Sequence, residues 1–234
     1  MATKLDDGSW EVQGKHLTFP VRIGDAGAAC AAYPVRAARA ATLLEGTGLE
    51  PVALAGWALA VVGLVDYRVN DLGTYDELAL ALPVLFRGRI GVHITQLPVT
   101  ETFTMEAGRA LWGLPKWLGR AELEIGGSRA TGHLAHEGEH VLTAALSTLP
   151  FALPGVLPGA VTAFAPRGGV MLASPVRARL RGIRVGAAAG TLVLGSGHPM
   201  ADELRSLGLP RRPLLTAIVD HLAFDMEAAE ELPI

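Results

Sequence analysis

The chain has 234 residues, half of them hydrophobic and 18% charged, with a formal net charge of −3. This composition excludes a disordered chain, and the weak negative charge argues against a nucleic-acid partner. A single cysteine, Cys30, excludes a disulfide framework and a metal site built from several cysteines. A mean hydropathy of +0.34 predicts apolar surface that is hidden in a large pocket or in a homo-oligomer.

The predicted elements are mostly strands rich in Val, Leu, Ile and Thr, separated by turn residues at intervals of about 8–12. In chain order they are strand His16–Arg22, helix Pro34–Leu44, strands Ala53–Tyr67, Glu77–Arg87 and Ile90–Val99, a helix from a Thr102 or Thr104 cap to about Trp112, strands Ala121–Ile125, Thr131–His136, His140–Ser147, Val170–Leu172, Val176–Ile183 and Thr191–Leu194, helix Pro199–Leu207, and strand Leu215–Met226. The pattern predicts a mainly β or α+β protein, a sandwich or barrel with a few short helices, in one domain over residues 1–234.

Two stretches bear on targeting and on membranes. The amino terminus, Met1–Trp10, has acidic residues and lacks the apolar segment of a secretory signal. The uncharged stretch Val141–Pro166 contains prolines and glycines that would break a membrane helix, and we interpret it as a boundary between substructures. We therefore expect a cytoplasmic protein with no membrane partner.

The segment His136-Glu-Gly-Glu-His140 matches the H-E-x-x-H pattern of helical zinc sites. A glycine lies inside the pattern and strand-like segments flank it, which favours a hairpin with Glu137-Gly138 near its turn. Histidines four residues apart on a strand lie about 13 Å apart, too far to share one zinc ion. We expect no metal site here, and no glycine-rich phosphate loop precedes a helix, so no cofactor is expected.

Lys116 stands out in the segment Gly108-Arg-Ala-Leu-Trp-Gly-Leu-Pro-Lys116-Trp-Leu-Gly119. The predicted helix ends at Gly113, and Pro115 prevents its continuation, so the lysine lies in a turn among apolar neighbours. One interpretation is a surface lysine with a buried stem. The other is a desolvated amine with a lowered pKa, which attacks a ketone to form a Schiff base.

The segment Gly108–Lys116, preceded by Tyr75-Asp76-Glu77 and followed by a strand that begins at Gly119, resembles the acetoacetate decarboxylase superfamily. The resemblance implies a cone-like or barrel-like antiparallel β fold with a few short peripheral helices, often assembled into oligomers. It implies that Lys116 is the Schiff-base lysine and that Glu77 is an acid or base.

The sequence also departs from the family pattern. Trp117 stands where the family has a second lysine, Val62 falls at the position of a further glutamate, and Arg22 is only the nearest candidate for an amino-terminal arginine. These differences argue against acetoacetate as the substrate, because a small carboxylate binds best to a fixed cation. They predict a larger and more apolar substrate.

Six further residues are candidates for substrate binding, namely Trp112, Trp117, Arg109, Tyr75, Val62 and His93. Arg109 is also expected to pair with a carboxylate or with the carbonyls at the end of its helix. His93 alternates with Val92 and Ile94 on a strand, so it faces either the pocket or the solvent, and it is a candidate general base.

The sequence thus predicts a carbon–carbon lyase that binds a small-molecule keto acid or polyketide-like ketone through a Lys116 Schiff base. Decarboxylation and aldol–dehydration are both compatible with an iminium intermediate. Two alternatives remain open: a cyclase on the same fold that shapes an apolar substrate without covalent catalysis, and a non-catalytic binder of small molecules.

Overall fold

The computed structural model describes residues 2–234 and contains eighteen strands and three short helices. The first half holds β1 (Ala2–Lys4), β2 (Trp10–Val12), β3 (Lys15–Leu17), β4 (Val21–Arg36), α1 (Ala37–Leu43), β5 (Glu50–Pro51), β6 (Ala53–Leu54), β7 (Trp57–Asn70), β8 (Tyr75–Phe86), β9 (Arg89–Val99), α2 (Thr102–Trp112), β10 (Lys116–Leu118) and β11 (Arg120–Gly126). The second half holds β12 (Arg129–His136), β13 (Glu139–Ser147), β14 (Val156–Arg167), β15 (Val170–Ala187), β16 (Gly190–Leu194), α3 (Pro199–Leu207), β17 (Leu215–Met226) and β18 (Glu230–Pro233).

Seven long strands close into a barrel in the order β9-β14-β15-β17-β4-β7-β8, and the pairing of β8 with β9 completes the ring. All neighbours in the ring are antiparallel except β9 and β14, which meet in parallel at one residue pair. A four-stranded sheet, β11-β12-β13-β16, and a small sheet, β1-β2-β3, pack outside the barrel. The predicted mainly β, barrel-like fold with a few short helices is confirmed.

Buried side chains form two separate cores. The first core joins one face of the barrel strands to the four-stranded sheet, α1 and α3. The second core includes α2, the small sheet and residues on the opposite face of the same strands. Because successive side chains on a strand point to opposite faces, neighbours in sequence contribute to different cores.

Helix prediction was accurate for two of the three helices. The third predicted helix, Pro199–Leu207, has the predicted bounds, and the second ends at Trp112 as predicted. The N-cap residue of this second helix is Glu101 instead of a threonine, and its side chain makes no capping hydrogen bond. The first predicted helix begins three residues too early, because Pro34 continues strand β4, where it pairs with Leu59.

The strand predictions missed long extended segments. Val156–Arg167 is a barrel strand although it contains Pro158, because the first half of β14 pairs only with β15 and leaves its other edge free. The predicted strands Val170–Leu172 and Val176–Ile183 are parts of one strand, β15.

The segment His136–His140 forms the predicted hairpin. Glu137 and Gly138 form its turn with φ angles of 51° and 85°, and strands β12 and β13 pair on either side. The helical zinc motif is therefore absent from this segment.

The surface has two properties that bear on membranes and on assembly. In residues 2–234, no helix is both long enough and apolar enough to cross a membrane. Large apolar side chains are exposed around the start of β14, namely Leu149, Phe151, Leu153, Val156 and Leu157.

Candidate active site

The end of helix α2 places Lys116 at the barrel interior. Gly113 adopts a left-handed conformation with φ of 67°, and the amide of Leu114 donates to the carbonyl of Gly108 at 3.1 Å. This left-handed ending is typical of a helix terminated by glycine. Pro115 then leads into β10, which pairs in parallel with the end of β9.

Gly108 makes room for the stem of the lysine. A Cβ atom at position 108 would lie 2.6 Å from Cδ and 2.7 Å from Cε of Lys116. Any larger residue would therefore push the lysine away from helix α2. This close approach gives a structural reason for a glycine inside the helix, where glycine is intrinsically unfavourable.

The Lys116 ammonium group lies in a polar nest with very little exposure. Only 3% of the residue is exposed, and Nζ lies 2.8 Å from Glu77 Oε2. Nζ also donates to Thr104 Oγ1 at 2.8 Å and to the Tyr75 hydroxyl at 3.4 Å. The lysine is therefore a buried member of an ion pair, and the interpretation as a surface lysine is wrong.

The second oxygen of Glu77 is also satisfied. Tyr67 donates its hydroxyl to Oε1 at 2.9 Å, and the ring of Tyr67 stacks on that of Tyr75 with centroids 4.3 Å apart. Burial and the negative charge of Glu77 raise the pKa of Tyr67 well above its ordinary value, so the phenol keeps its proton and donates it. Tyr67 thereby fixes the carboxylate against the lysine.

Burial and charge act in opposite directions on Lys116. Desolvation lowers the pKa of the amine, but the negative charge of Glu77 and the contacts with Glu77 and Tyr75 outweigh it, and the net pKa is raised. The expectation of a lowered pKa is therefore wrong for this arrangement. The resting site holds an ammonium–carboxylate pair, and the amine must lose its proton before it can attack a carbonyl.

A cavity of about 180 Å³ lies beside this pair, and every barrel strand contributes to its lining. The lining residues are Ile23, Tyr67, Leu72, Tyr75, Glu77, Val92, Ile94, Leu97, Trp112, Leu114, Lys116, Val161, Ala163, Val176, Phe224 and Met226. Most are apolar, so the ion pair lies at the wall of an otherwise hydrophobic chamber. This is the usual make-up of a small-molecule site, with a few placed polar groups in an apolar pocket.

The structure brings four of the predicted site residues together at this cavity: Lys116, Glu77, Tyr75 and Trp112. Sequence reasoning missed Tyr67 and Thr104. Tyr67 lies directly opposite Tyr75 in the β7–β8 pairing, and Thr104 lies one helical turn before Gly108. The register of the hairpin and the helical period are the signals that point to them.

Trp117 does not line the cavity, contrary to the prediction. It follows Lys116 on a strand and so points to the opposite face, where its indole nitrogen donates to Gln96 Oε1 at 3.0 Å. Its ring packs against His136 and His198. The residue at the position of the second family lysine therefore has no part in desolvating Lys116.

Val62 and His93 also lie outside the cavity. Val62 is buried in the first core with Leu64 and Leu80, on the opposite face of its sheet. His93 Nδ1 lies 2.9 Å from the carbonyl of Phe164, and burial lowers the pKa of the imidazole. Val92 and Ile94 face the cavity, so His93 lies on the outside and is not a base at this site.

The arginines near the site have structural contacts. Arg109 Nε donates to the backbone carbonyl of Lys116 at 2.5 Å, which fixes the strand and differs from the predicted pairing with a carboxylate or with helix carbonyls. Arg109 does not line the cavity. Arg22 is exposed and alternates with the buried Ile23, so it points away from the chamber. No group of three or more metal-ligating side chains in residues 2–234 is arranged to hold a metal ion.

Comparison with known families gives a match over most of the chain. The model of the acetoacetate decarboxylase (ADC) family matches residues 12–225. Two curated proteins named acetoacetate decarboxylase, from Acidiphilium cryptum and Chromobacterium violaceum, are 33% and 32% identical over 79 and 65 residues. These matches cover 32% and 28% of this chain but only 31% and 26% of the relatives.

Solved structures match over nearly the whole chain. The enduracididine biosynthesis enzyme MppR, complexed with the condensation product of pyruvate and imidazole 4-carboxaldehyde, has a TM-score of 0.69 at 22% identity, covering 93% of this chain and 91% of that one. A structure of acetoacetate decarboxylase has a TM-score of 0.66 at 19% identity, with 92% and 90% covered. An acetoacetate decarboxylase-like enzyme from Sphingomonas wittichii RW1 has a TM-score of 0.65 at 19% identity, covering 94% of this chain and 96% of that one. At these identities the structures establish a shared fold.

Proposed function

This chain belongs to the acetoacetate decarboxylase family, and from that premise we propose that it is a carbon–carbon lyase that forms a Schiff base through Lys116. The substrate is a keto acid or a polyketide-like ketone. The observation that carries the proposal is the buried pair of Lys116 and Glu77, 2.8 Å apart, at the wall of an apolar cavity. A buried amine beside an acid–base group is the arrangement that this chemistry needs.

Formation of the Schiff base requires a proton acceptor for the ammonium group. Glu77 Oε2 lies within hydrogen-bond distance of Nζ and takes the proton when the ketone displaces the ion pair. The neutral amine attacks the carbonyl carbon, and Glu77 returns its proton to the oxygen. A second proton then passes from the nitrogen through Glu77 to the same oxygen, which leaves as water. The product is an iminium ion between Lys116 and the substrate carbon.

The iminium ion accepts an electron pair from an adjacent carbon. Loss of carbon dioxide from a β-keto acid, or removal of an α-proton by Glu77, gives an enamine. The enamine then takes a proton, or its carbon forms a bond to a second carbonyl compound, with loss of water in an aldol–dehydration. The bound condensation product in the MppR structure supports the second route for this fold.

The cyclase alternative has lost its original support. Val62 and Trp117, which stand where the family has charged residues, would make the cavity of such a cyclase apolar, but neither residue lines it. In the binder alternative, a small molecule occupies the same cavity without a covalent bond to Lys116. Covalent trapping separates it from the proposed lyase.

The test is borohydride reduction in the presence of a panel of β-keto acids, 2-oxo acids and methyl ketones, followed by mass mapping. We expect a substrate-dependent mass on Lys116 and its loss in Lys116→Ala. A labelled protein whose adduct lies on another lysine would contradict the assignment. Binding of these compounds by calorimetry without a trapped adduct would favour the binder.

We also propose that the chain forms a homo-oligomer. The apolar residues exposed around the start of β14 and the free edge of that strand support it. Light scattering at micromolar concentration is expected to give at least a dimer. A stable species of 24.5 kDa would contradict this proposal.

A further inference from the structure

We infer that the cavity accepts a neutral, apolar carbonyl compound, a ketone or aldehyde without a carboxylate group. The inference rests on the proposed Schiff-base function and narrows its substrate class. It comes from the charges around the cavity, which leave no cation free for an acidic substrate.

The two charged groups of the lining neutralise one another. Lys116 and Glu77 form an ion pair at 2.8 Å, and the remaining lining residues in the described chain are tyrosines or apolar. Tyr67 already donates its hydroxyl to Glu77, so this donor is also occupied. A substrate carboxylate would therefore enter the chamber without a cation of its own.

Arginines occur next to the lining residues but point away from them. Arg22 precedes Ile23 on β4, and Arg177 follows Val176 on β15. The strand alternation that turns Ile23 and Val176 inward turns both arginines outward. The Arg177 side chain is 76% exposed and lies 3.9 Å from Glu227.

Formation of the Schiff base does not stabilise a bound substrate carboxylate. When the ammonium group becomes an iminium ion, the single positive charge stays beside Glu77, and a carboxylate bound there would face the negative charge of Glu77. Because an unpaired charge is strongly disfavoured in an apolar site, the chamber discriminates against acids. A ketone needs only the carbonyl carbon near Nζ and apolar walls for the rest of the molecule.

The substrate class also limits the reaction. A compound without a carboxylate has no carbon dioxide to lose, so the enamine must react with a second carbonyl compound or be protonated. In the forward aldol, the enamine carbon bonds to the carbonyl carbon of the second compound, whose oxygen takes a proton. The reverse reaction breaks the same bond and returns the two carbonyl compounds.

The test compares two compounds of similar size, 2-pentanone and acetoacetate, under borohydride at pH 7. Acetoacetate is counted both as an intact adduct and as the isopropyl adduct that follows loss of carbon dioxide. We expect the neutral ketone to label Lys116 at least tenfold faster. Equal or faster labelling by acetoacetate overturns the substrate inference and leaves the Schiff-base proposal standing, whereas no adduct from any carbonyl compound overturns both.

A charge added at the cavity mouth provides a second readout. Val161 lines the cavity and is 44% exposed, so Val161→Arg places a cation at the rim with its head group in solvent. We expect it to raise the labelling rate with acetoacetate relative to 2-pentanone by about tenfold. Val193→Arg, at an exposed valine of β16 outside the lining and outside the apolar patch at the start of β14, is the control. An unchanged ratio in Val161→Arg would mean that charge does not exclude acids and would overturn the inference.

Discussion

Lys116 and Trp117 are neighbours on strand β10, yet they belong to two different environments, and each environment contains a carboxylate with at least one buried oxygen. On the inner face, Lys116 pairs with Glu77 at the wall of a cavity. On the outer face, Trp117 donates to Gln96, which donates to Glu203 Oε2 at 2.7 Å. The other oxygen of Glu203 is buried and has no hydrogen-bond partner in residues 2–234.

The difference shows what makes one carboxylate a candidate acid–base group. Glu77 has a cation within proton-transfer distance and an adjacent cavity of about 180 Å³ for a substrate. Glu203 has a neutral amide partner, and the neighbouring tryptophan packs against histidines. Glu203 also borders a cavity, of about 310 Å³, so the cation paired with Glu77 distinguishes the inner face.

Replacement of the two β10 residues is expected to give the largest contrast. Lys116→Met removes the nucleophile, and we expect exchange of the α-hydrogens of 2-butanone in deuterium oxide, followed by NMR, to fall on the order of 10³-fold or more. Trp117→Phe is the matched control and should keep the rate within about threefold, because it changes only the outer face.

The lysine variant also needs a folding control, since loss of one partner of a buried ion pair typically costs about 3–5 kcal/mol. A thermal melt followed by circular dichroism establishes whether Lys116→Met is folded at the assay temperature. A folded Lys116→Met protein with unchanged exchange would contradict covalent catalysis.

The two carboxylates provide the next contrast. Glu77→Gln keeps the shape of the side chain but removes the base, and we expect the exchange rate to fall about 10²-fold. Glu203→Gln changes the same residue type on the outer face and should leave the rate unchanged. Equal losses in both variants would indicate a general effect on the fold and would contradict the assigned role of Glu77.

The pH dependence of the exchange rate in the wild type and in Glu77→Gln tests whether Lys116 passes its proton to Glu77. In the wild type, the proton passes from Lys116 to Glu77 within the pair, and the raised pKa of Lys116 keeps the amine from titrating near neutrality. We therefore expect a nearly flat exchange rate from pH 6 to 9. In Glu77→Gln, the negative charge that opposes burial is gone, and we expect burial to outweigh the contact with Tyr75 and to lower the pKa of Lys116, so the rate should rise about tenfold per pH unit up to that lowered pKa. A wild-type rate that rises with the same slope would contradict internal proton transfer.

Whether a feature of the two faces can be predicted from the sequence depends on how far apart in sequence the interacting residues lie. The end of α2, the turn at Gly113 and Pro115, and the hairpin at Glu137-Gly138 follow from local backbone preferences, and they were predicted. The pairing of Lys116 with Glu77 joins two segments that are far apart in sequence, so local patterns could not supply it. It entered only through the family resemblance.

The errors have a physical pattern. Trp117 and Val62 were assigned to the cavity because they match family positions, but strand alternation turns Trp117 outward, and Val62 lies in the first core. The lowered pKa of Lys116 was predicted mainly from burial, with Glu77 as an opposing charge, and the unknown distance to Glu77 decides which effect is larger. In each case the missing information was the side-chain direction or the separation of two groups.

The smallest expected effect concerns Tyr67, which was not predicted from the sequence and has no counterpart on the outer face. Tyr67→Phe removes the hydrogen bond to Glu77 Oε1 and leaves a buried carboxylate oxygen without a donor, as Glu203 already has. A hydrogen bond to a charged group contributes about 1.5–3 kcal/mol, so we expect roughly a tenfold or larger loss of the exchange rate. The flat pH profile should persist, because the Lys116–Glu77 pair remains. Tyr33→Phe, a buried tyrosine of the first core, is the control and should leave the rate unchanged. A Tyr67→Phe rate equal to that of the wild type would mean that the carboxylate needs no second partner, and the cation would then be the feature that sets Glu77 apart from Glu203.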